Sequence, residues 1–309
     1  MSQAFLFPGQ GSQHVGMGRE LAEAIPAARS VFEEADEALG FALSRLMWEG
    51  PDEELTDTRN AQPALLVHSI AALRAIDGAV GPASLAAGHS LAEFTAHVAS
   101  GTLAFRDAVL AVRRRGELMS EAGRARPGTM AAILGMDDDA VRDVCAEVTE
   151  GVCVPANFNS PGQVVVSGDE VGVAEGSERA REAGARKVMP LHVSGAFHSP
   201  LMEPAQRALD EHLADVSFSD PEHPVVSNVT AQPVSEGSVA RELLVRQLTA
   251  PVLWSDSIRV MVEAGVDRFL ELGPGTVLCG LNKRNARGLP CVSVGDLDGL
   301  RRLEEMSWS

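Results

Sequence analysis

The sequence predicts an α/β protein in which a larger α/β body carries a small ferredoxin-like insert. Three observations point there. Short apolar strands alternate with helical stretches toward both ends of the 309-residue chain, and a serine stands on a glycine-flanked strand-to-helix turn. Between these regions, over residues 127–194, the pattern changes to β-α-β-β-α-β. A chain of this length buries a sizeable core and suits one large domain or one domain with an insert.

The elements follow in order. "QAFLFPGQGSQHVGMG" opens with a strand over residues 4–7 and breaks into a Pro/Gly loop that lets backbone approach a ligand closely. It is neither a dinucleotide fingerprint nor a phosphate-binding P-loop, since no Gly-Lys-Ser/Thr follows. Leu21, Ile25, Ala28, Phe32, Ala35 and Leu39 recur at helical spacing, and Pro26 splits that stretch into two helices. "AQPALLVHSIAALRAI" (61–76) predicts an apolar helix, and Ser84 to Ala87 a short buried strand. The helix after it has Leu91, Phe94, Thr95 and Val98 on one face. Residues 105–123 form a further helix packing through Val109, Val112, Leu118 and Met119.

Within the insert, "TMAAILGM", "VCVPANFN", "QVVVSGD" and "ARKVMPLHV" read as strands, and "DDDAVRDVCAEV" and "VGVAEGSERAREAG" as helices. The α/β texture resumes through "HPVVSNVT", "SDSIRVMVEAGV" and "DRFLELGPG". Residues 1–126 and 195–309 are thus expected to form the body and 127–194 the insert.

Acidic residues outnumber basic ones by 43 to 26, a formal net charge of −17. That excludes the broad basic footprint of a nucleic-acid or anionic-membrane binder, and any anionic ligand must be drawn by a local cluster. There is no leader-like N-terminal stretch, and no apolar run reaches the roughly 18 residues of a membrane helix. The expectation is a cytoplasmic protein. Cys145, Cys153, Cys279 and Cys291 form no C-x-x-C pair and lie at no zinc-finger spacing from histidine. They are expected to be buried free thiols, with no metal site and no disulfide framework.

The chemistry centres on "GHSLAEF" (88–94). Ser90 reads either as a helix N-cap, with Glu93 three residues on completing a capping box, or as a nucleophile exposed on a tight turn. The second reading usually has glycine two residues after the serine, where this chain has Ala92. Serine needs a base within hydrogen-bond reach. His89 is adjacent and points elsewhere, His97 lies too far into the helix, and His14, His68, His192, His212 and His223 have no special context. His198 sits in the loop "GAFHSPLM", either as a solvent-facing histidine or as the base.

Taken together, "FLFPGQGSQ", "AQPALL", "GHSLAEF", "RRRGELM", "NFNSPGQVVVSG", "GAFHSPLM", "PVVSNV" and "LELGPG" resemble, in order and from about residue 4 to 285, the malonyl-CoA:acyl-carrier-protein transacylases. The resemblance extends to the acyltransferases that serve polyketide synthases lacking their own. It implies an α/β-hydrolase-like core with a ferredoxin-like insert and an active site in the cleft between them. It implies Ser90 as the acylated nucleophile and His198 as general base and acid, oriented by a backbone carbonyl at Gln247 rather than by a carboxylate. The amides of Gln10 and Leu91 become the oxyanion hole. Arg115 grips the free carboxylate of a malonyl group, a task that suits a planar guanidinium, while Arg113 and Arg114 remain a solvated face. Phe197 favours malonyl over methylmalonyl units, Gln62 lies near the acyl pocket, and Asn157 and Asn159 line the cleft.

Donor and acceptor would be malonyl-CoA and the phosphopantetheine arm of an acyl carrier protein, in fatty-acid or polyketide synthesis, with no bound cofactor, no nucleic acid, no membrane and a monomeric enzyme. Arg179, Arg181, Arg186 and Lys187, with Lys283, Arg284 and Arg287, are the local basic clusters available to these anionic partners. Two rivals remain: an acyl-carrier-protein hydrolase on the same scaffold, and a catalytically silent docking subunit.

Overall fold

The computed structural model describes residues 2–76 and 78–305. The chain runs β1 (Gln3–Phe7), α1 (Arg19–Ala24), α2 (Pro26–Leu39), α3 (Leu43–Glu49), α4 (Asp52–Thr56), α5 (Thr58–Ala75), β2 (Leu85–Gly88), α6 (Ala92–Ala99) and α7 (Phe105–Ala125). Then come β3 (Thr129–Leu134), α8 (Asp138–Ala146), β4 (Cys153–Ser160), β5 (Gln163–Gly168), α9 (Glu170–Glu182) and β6 (Lys187–Leu191). The C-terminal part holds a 3-10 turn (Pro200–Met202), α10 (Glu203–Leu213), β7 (Val225–Val226), β8 (Pro233–Val234), α11 (Gly237–Arg246), α12 (Trp254–Glu263), β9 (Arg268–Leu272), α13 (Val277–Asn285), β10 (Cys291–Val294) and α14 (Leu297–Glu305).

Two sheets form. The larger has strand order β10-β9-β1-β2-β7-β8 and is parallel except where β7 and β8 pair as a hairpin. Its central strands β1, β2 and β9 are buried along their whole length, as parallel strands covered on both faces must be. The smaller sheet is antiparallel, in the order β4-β5-β3-β6. Its helices α8 and α9 bury Val141, Val144, Val173 and Ala180 against Ile133, Phe158, Val164 and Val166, in a cluster separate from the main core. Pro26 starts α2 at its first position, directly after α1, because a missing N–H costs nothing there.

The small sheet is stitched to the rest of the chain through β4. Val252 N donates to Ala156 O at 2.8 Å and Phe158 N to Val252 O at 2.9 Å, which lays Asn157 beside Val252 as an isolated parallel bridge. Asn285 Nδ2 donates to Asn159 O at 2.9 Å.

The cysteines correct the sequence reading. Cys145 and Cys153 are buried free thiols, but Cys279 and Cys291 form a disulfide with their Cα atoms 5.3 Å apart. Spacing rules built on C-x-x-C pairs missed it because the fold brings the two together. The short link from α13 into β10 turns the chain back on itself and sets the two cysteines side by side. Among the described residues no His, Cys, Asp and Glu cluster is able to hold a metal, and no helix is long and apolar enough to cross a membrane.

Candidate active site

Parallel β1 and β2 end side by side, with Phe7 in register with Gly88. The loops leaving both strands therefore meet at the carboxyl edge of the sheet, where open α/β sheets place their ligands. The turn after β2 is tight. A Cβ on Gly88 would fall inside the backbone of Ala92 and Glu93, so glycine is required there. Ser90 follows with φ 53, a left-handed backbone that aims its side chain out of the turn. It is not the N-cap of a capping box: α6 has Leu91 at its N-cap, with no side-chain cap bond.

Ser90 Oγ lies 2.8 Å from His198 Nε2. The imidazole is buried, and its Nδ1 lies 2.9 Å from Gln247 O and 3.2 Å from Ala250 O. Nδ1 carries the proton to donate to those carbonyls, which leaves Nε2 free to accept from the serine hydroxyl. Burial, then the charge on Arg115, drives the His198 pKa down from 6.5 to about 3, so the ring is neutral at neutral pH. His198 also has a left-handed backbone, φ 57.

Arg115, on α7, is fully buried. Its Nη1 donates to Gln62 Oε1 at 2.8 Å, and its Nη2 to Gln247 Oε1 at 3.0 Å and Ser90 Oγ at 3.2 Å. Its Nε has no partner. Burial lowers its pKa to about 10, which leaves it charged at neutral pH. Among the described residues no carboxylate is ion-paired with it, although the nearby Glu93 acts on it through space. A buried guanidinium held only by neutral groups is costly, and an anion arriving from outside relieves that cost.

A cleft of about 950 Å³ opens over this group, lined among others by Gln10, Gln62, His89, Ser90, Arg115, Asn157, Asn159, Phe197 and His198. The Leu91 side chain is instead packed in the apolar core. Among the described residues the amides of Gln10 and Leu91 donate to no protein acceptor. His89 Nε2 lies 2.8 Å from Asn159 Oδ1 and its ring packs on Trp254, so it faces away from the serine.

Residues 4–299 match the acyl transferase domain family. The chain is 50% identical over 295 residues to the malonyl CoA-acyl carrier protein transacylase of Bacillus subtilis, covering 95% of this chain and 93% of the relative. It is 45% identical over 283 residues to that of Escherichia coli, covering 91% and 92%. The chain belongs to the malonyl-CoA:acyl-carrier-protein transacylase family. Solved structures agree. The acyl carrier protein S-malonyltransferase of Vibrio cholerae superposes with a TM-score of 0.95 at 40% identity, over 98% of this chain and 100% of that one. A malonyl-transacylase in complex with its type II PKS acyl-carrier protein superposes with a TM-score of 0.94 at 41% identity, over 99% of each.

Two residues of this candidate site escaped sequence reasoning. Asn228 accepts from Ser90 N through Oδ1 at 2.7 Å and donates through Nδ2 to Gly88 O at 2.8 Å, clamping the turn on both sides of the serine. It stands in the motif "PVVSNV", which carried no role of its own. Glu93 is fully buried beneath the turn and not a surface cap. Its Oε2 accepts from Asn228 N at 3.1 Å and Gln247 Nε2 at 2.5 Å. The sequence held no separate signal for it, because its spacing to Ser90 already had a local explanation as a capping box.

Proposed function

We propose that the protein transfers a malonyl group from malonyl-CoA to the phosphopantetheine thiol of an acyl carrier protein, through an ester on Ser90. The observation that carries this reading is a serine–histidine pair at 2.8 Å with a buried arginine, bonded only to neutral groups, 3.2 Å from the same serine oxygen.

Ser90 Oγ attacks the thioester carbonyl carbon as its proton passes to His198 Nε2. The carbonyl oxygen, now an anion, is received by the amides of Gln10 and Leu91, donors worth about 3–4 kcal/mol each in related chemistry. The C–S bond breaks, the departing thiolate takes the proton from His198, and CoA leaves. The pantetheine thiol then gives its proton to His198 while its sulfur attacks the ester carbonyl. The C–O bond breaks and Ser90 regains the proton. Base, oxyanion donors and cation are all protein groups, so neither step calls for a cofactor.

Arg115 receives the malonyl carboxylate, with Gln62 and Gln247 holding the guanidinium. Phe197 walls the acyl pocket against an α-methyl group, a selectivity of about 1–3 kcal/mol. The rival hydrolase has no use for a carboxylate-binding arginine, and the relatives described above are named transacylases and malonyltransferases.

The finer architecture belongs to this reading. The serine turn after β2 of the parallel sheet supports an α/β-hydrolase-like core over 1–126 and 195–309. The order β4-β5-β3-β6 and its separate apolar cluster support a ferredoxin-like insert over 127–194.

The test is intact-mass measurement after incubation with malonyl-CoA. The wild type is expected to gain one malonyl group that a holo carrier protein removes, Ser90→Ala none, and Arg115→Lys to load on the order of a hundredfold more slowly. Release of malonate and CoA without a lasting adduct would overturn transfer in favour of hydrolysis.

A further inference from the structure

Three groups named above, Ser90, His198 and Arg115, lie on separate elements, and one buried side chain connects all three. Glu93 Oε2 accepts from Asn228 N and from Gln247 Nε2. Asn228 holds the serine turn through Ser90 N and Gly88 O. Gln247 does more. Its Nε2 also donates to Ser90 O at 3.0 Å, its Oε1 accepts from Arg115 Nη2, and its backbone O accepts from His198 Nδ1. Without the Glu93 acceptor the Gln247 amide keeps only the Ser90 carbonyl on its donor side, and the direction in which its Oε1 meets Arg115 is less firmly set.

We infer that Glu93 is the positioning residue of this transacylase site: one carboxylate oxygen fixes Asn228 and Gln247, and through them the left-handed turn at Ser90 and the direction of the Arg115 guanidinium. Glu93 touches no reacting atom. It stands on α6, faced by Asn228 and Ser227 after β7, by Gln247 after α11 and by Arg115 on α7. Burial pushes its pKa up to about 7, opposed by the bonds from Asn228 and Gln247, the nearby Ser227 and the Arg115 charge. Both donors meet the same oxygen, so the feature that the tether uses is one well-placed acceptor. A glutamine, which keeps one oxygen able to accept both bonds, should stand in for it. An aspartate keeps the charge but draws the oxygen back by one methylene, and misplacements of about 1 Å at a site of this kind cost up to a hundredfold.

The inference rests on the acyl-serine reading, and the experiment separates the two. Rates of adduct formation from malonyl-CoA and from acetyl-CoA are measured by intact mass for the wild type, Glu93→Asp and Glu93→Gln, each checked for a cooperative thermal transition. Glu93→Asp should lower the malonyl-to-acetyl loading ratio by about tenfold, because Arg115 serves only the malonyl group, while Glu93→Gln should keep it within about threefold of wild type. A merely structural role would slow both acyl groups alike. A ratio unchanged in Glu93→Asp, or an equal fall for both donors, overturns the inference and leaves the acyl-serine reading standing. A collapsed ratio in folded Glu93→Gln overturns it too, because charge and not the tether would then carry the effect, and this arm is decisive even if Glu93→Asp fails to fold. A wild type that gains no malonyl group sinks both.

Discussion

Ser90 and His198 both sit in the left-handed backbone region, at φ 53 and φ 57, which costs a non-glycine residue on the order of 1–2 kcal/mol each. Neighbouring bonds hold them there: Asn228 clamps the serine turn, and the carbonyls of Gln247 and Ala250 hold the imidazole. The strained pair was legible as residue types and only through a resemblance as a pair, since neither φ nor a 2.8 Å approach is written in local spacing. In the proposed mechanism the neutral imidazole is the base, and burial with the Arg115 charge puts the His198 pKa at about 3. The neutral form therefore persists as pH falls through the ordinary histidine range. Loading of Ser90 at subsaturating malonyl-CoA should stay level from about pH 8 to about pH 5 and decline only below, and an acid limb near 6.5 would contradict it. The linkage to stability has a definite sign. Because the folded-state pKa is depressed, the unfolded chain binds the proton first, so this residue's contribution to stability falls as pH drops below about 6.5.

At the scale of elements, the turn between β2 and α6 explains why Ala92 replaces the expected glycine. The crowding falls on Gly88, whose Cβ would collide with the Ala92 carbonyl, while the Ala92 methyl itself packs in an apolar cluster with Phe5, Phe7, Leu91 and Ala96. Gly88→Ala should destabilise the protein by on the order of 3 kcal/mol, read as a lower midpoint in urea, because the obstacle is backbone and has nowhere to move. An unchanged midpoint would show that the turn has room. Long periodic helices were legible: residues 61–76 and 105–123 were expected, and α5 and α7 span Thr58–Ala75 and Phe105–Ala125. The earlier start of α5 comes from Asp57, which accepts from Arg59 N at its N-cap. The short α3 and α4 were not read, since they lie around Gly50-Pro51 with too few turns to show a period. Helix α6 was legible too, but not the depth of its burial: Glu93 and His97 are buried along with Phe94 and Thr95.

Over the whole molecule, the net charge of −17 must be reconciled with an acidic carrier and a phosphate-bearing donor. Arg179 is paired with Glu147 and Glu175, and Arg181 with Glu178, so half of the insert's basic cluster is neutralised internally. Among the described residues Arg186, Lys187, Lys283, Arg284 and Arg287 are exposed and in no ion pair. Two of them lie along one band: Lys187 and Gln163 flank Leu134 across the small sheet, and Arg284 Nη1 reaches Gln163 and Ser160. Reversing Lys187 and Arg284 to glutamate should raise KM for the carrier protein about tenfold, with malonyl loading of Ser90 unchanged and the difference shrinking at high salt. Equal KM values would place carrier docking elsewhere. The β-α-β-β-α-β order from β3 to β6 was legible because each element has its own period and turn. The Cys279–Cys291 pair was not, because its proximity is made by the fold.

The pair at the centre of the site is separated by 108 residues, Ser90 and Gln247 by 157, and β1 gains its neighbour β9 only at Arg268. A ribosome making this chain from its N-terminus releases the serine turn first, then the whole of the small sheet, and only afterwards His198, Gln247 and the strand that completes β1. From residue 90 to residue 198 the nascent chain therefore carries the serine without its proposed base, and Gln247, which meets both the imidazole and the Arg115 guanidinium, comes later still. On the proposed mechanism, reactivity waits for segments that lie far along the chain from the serine.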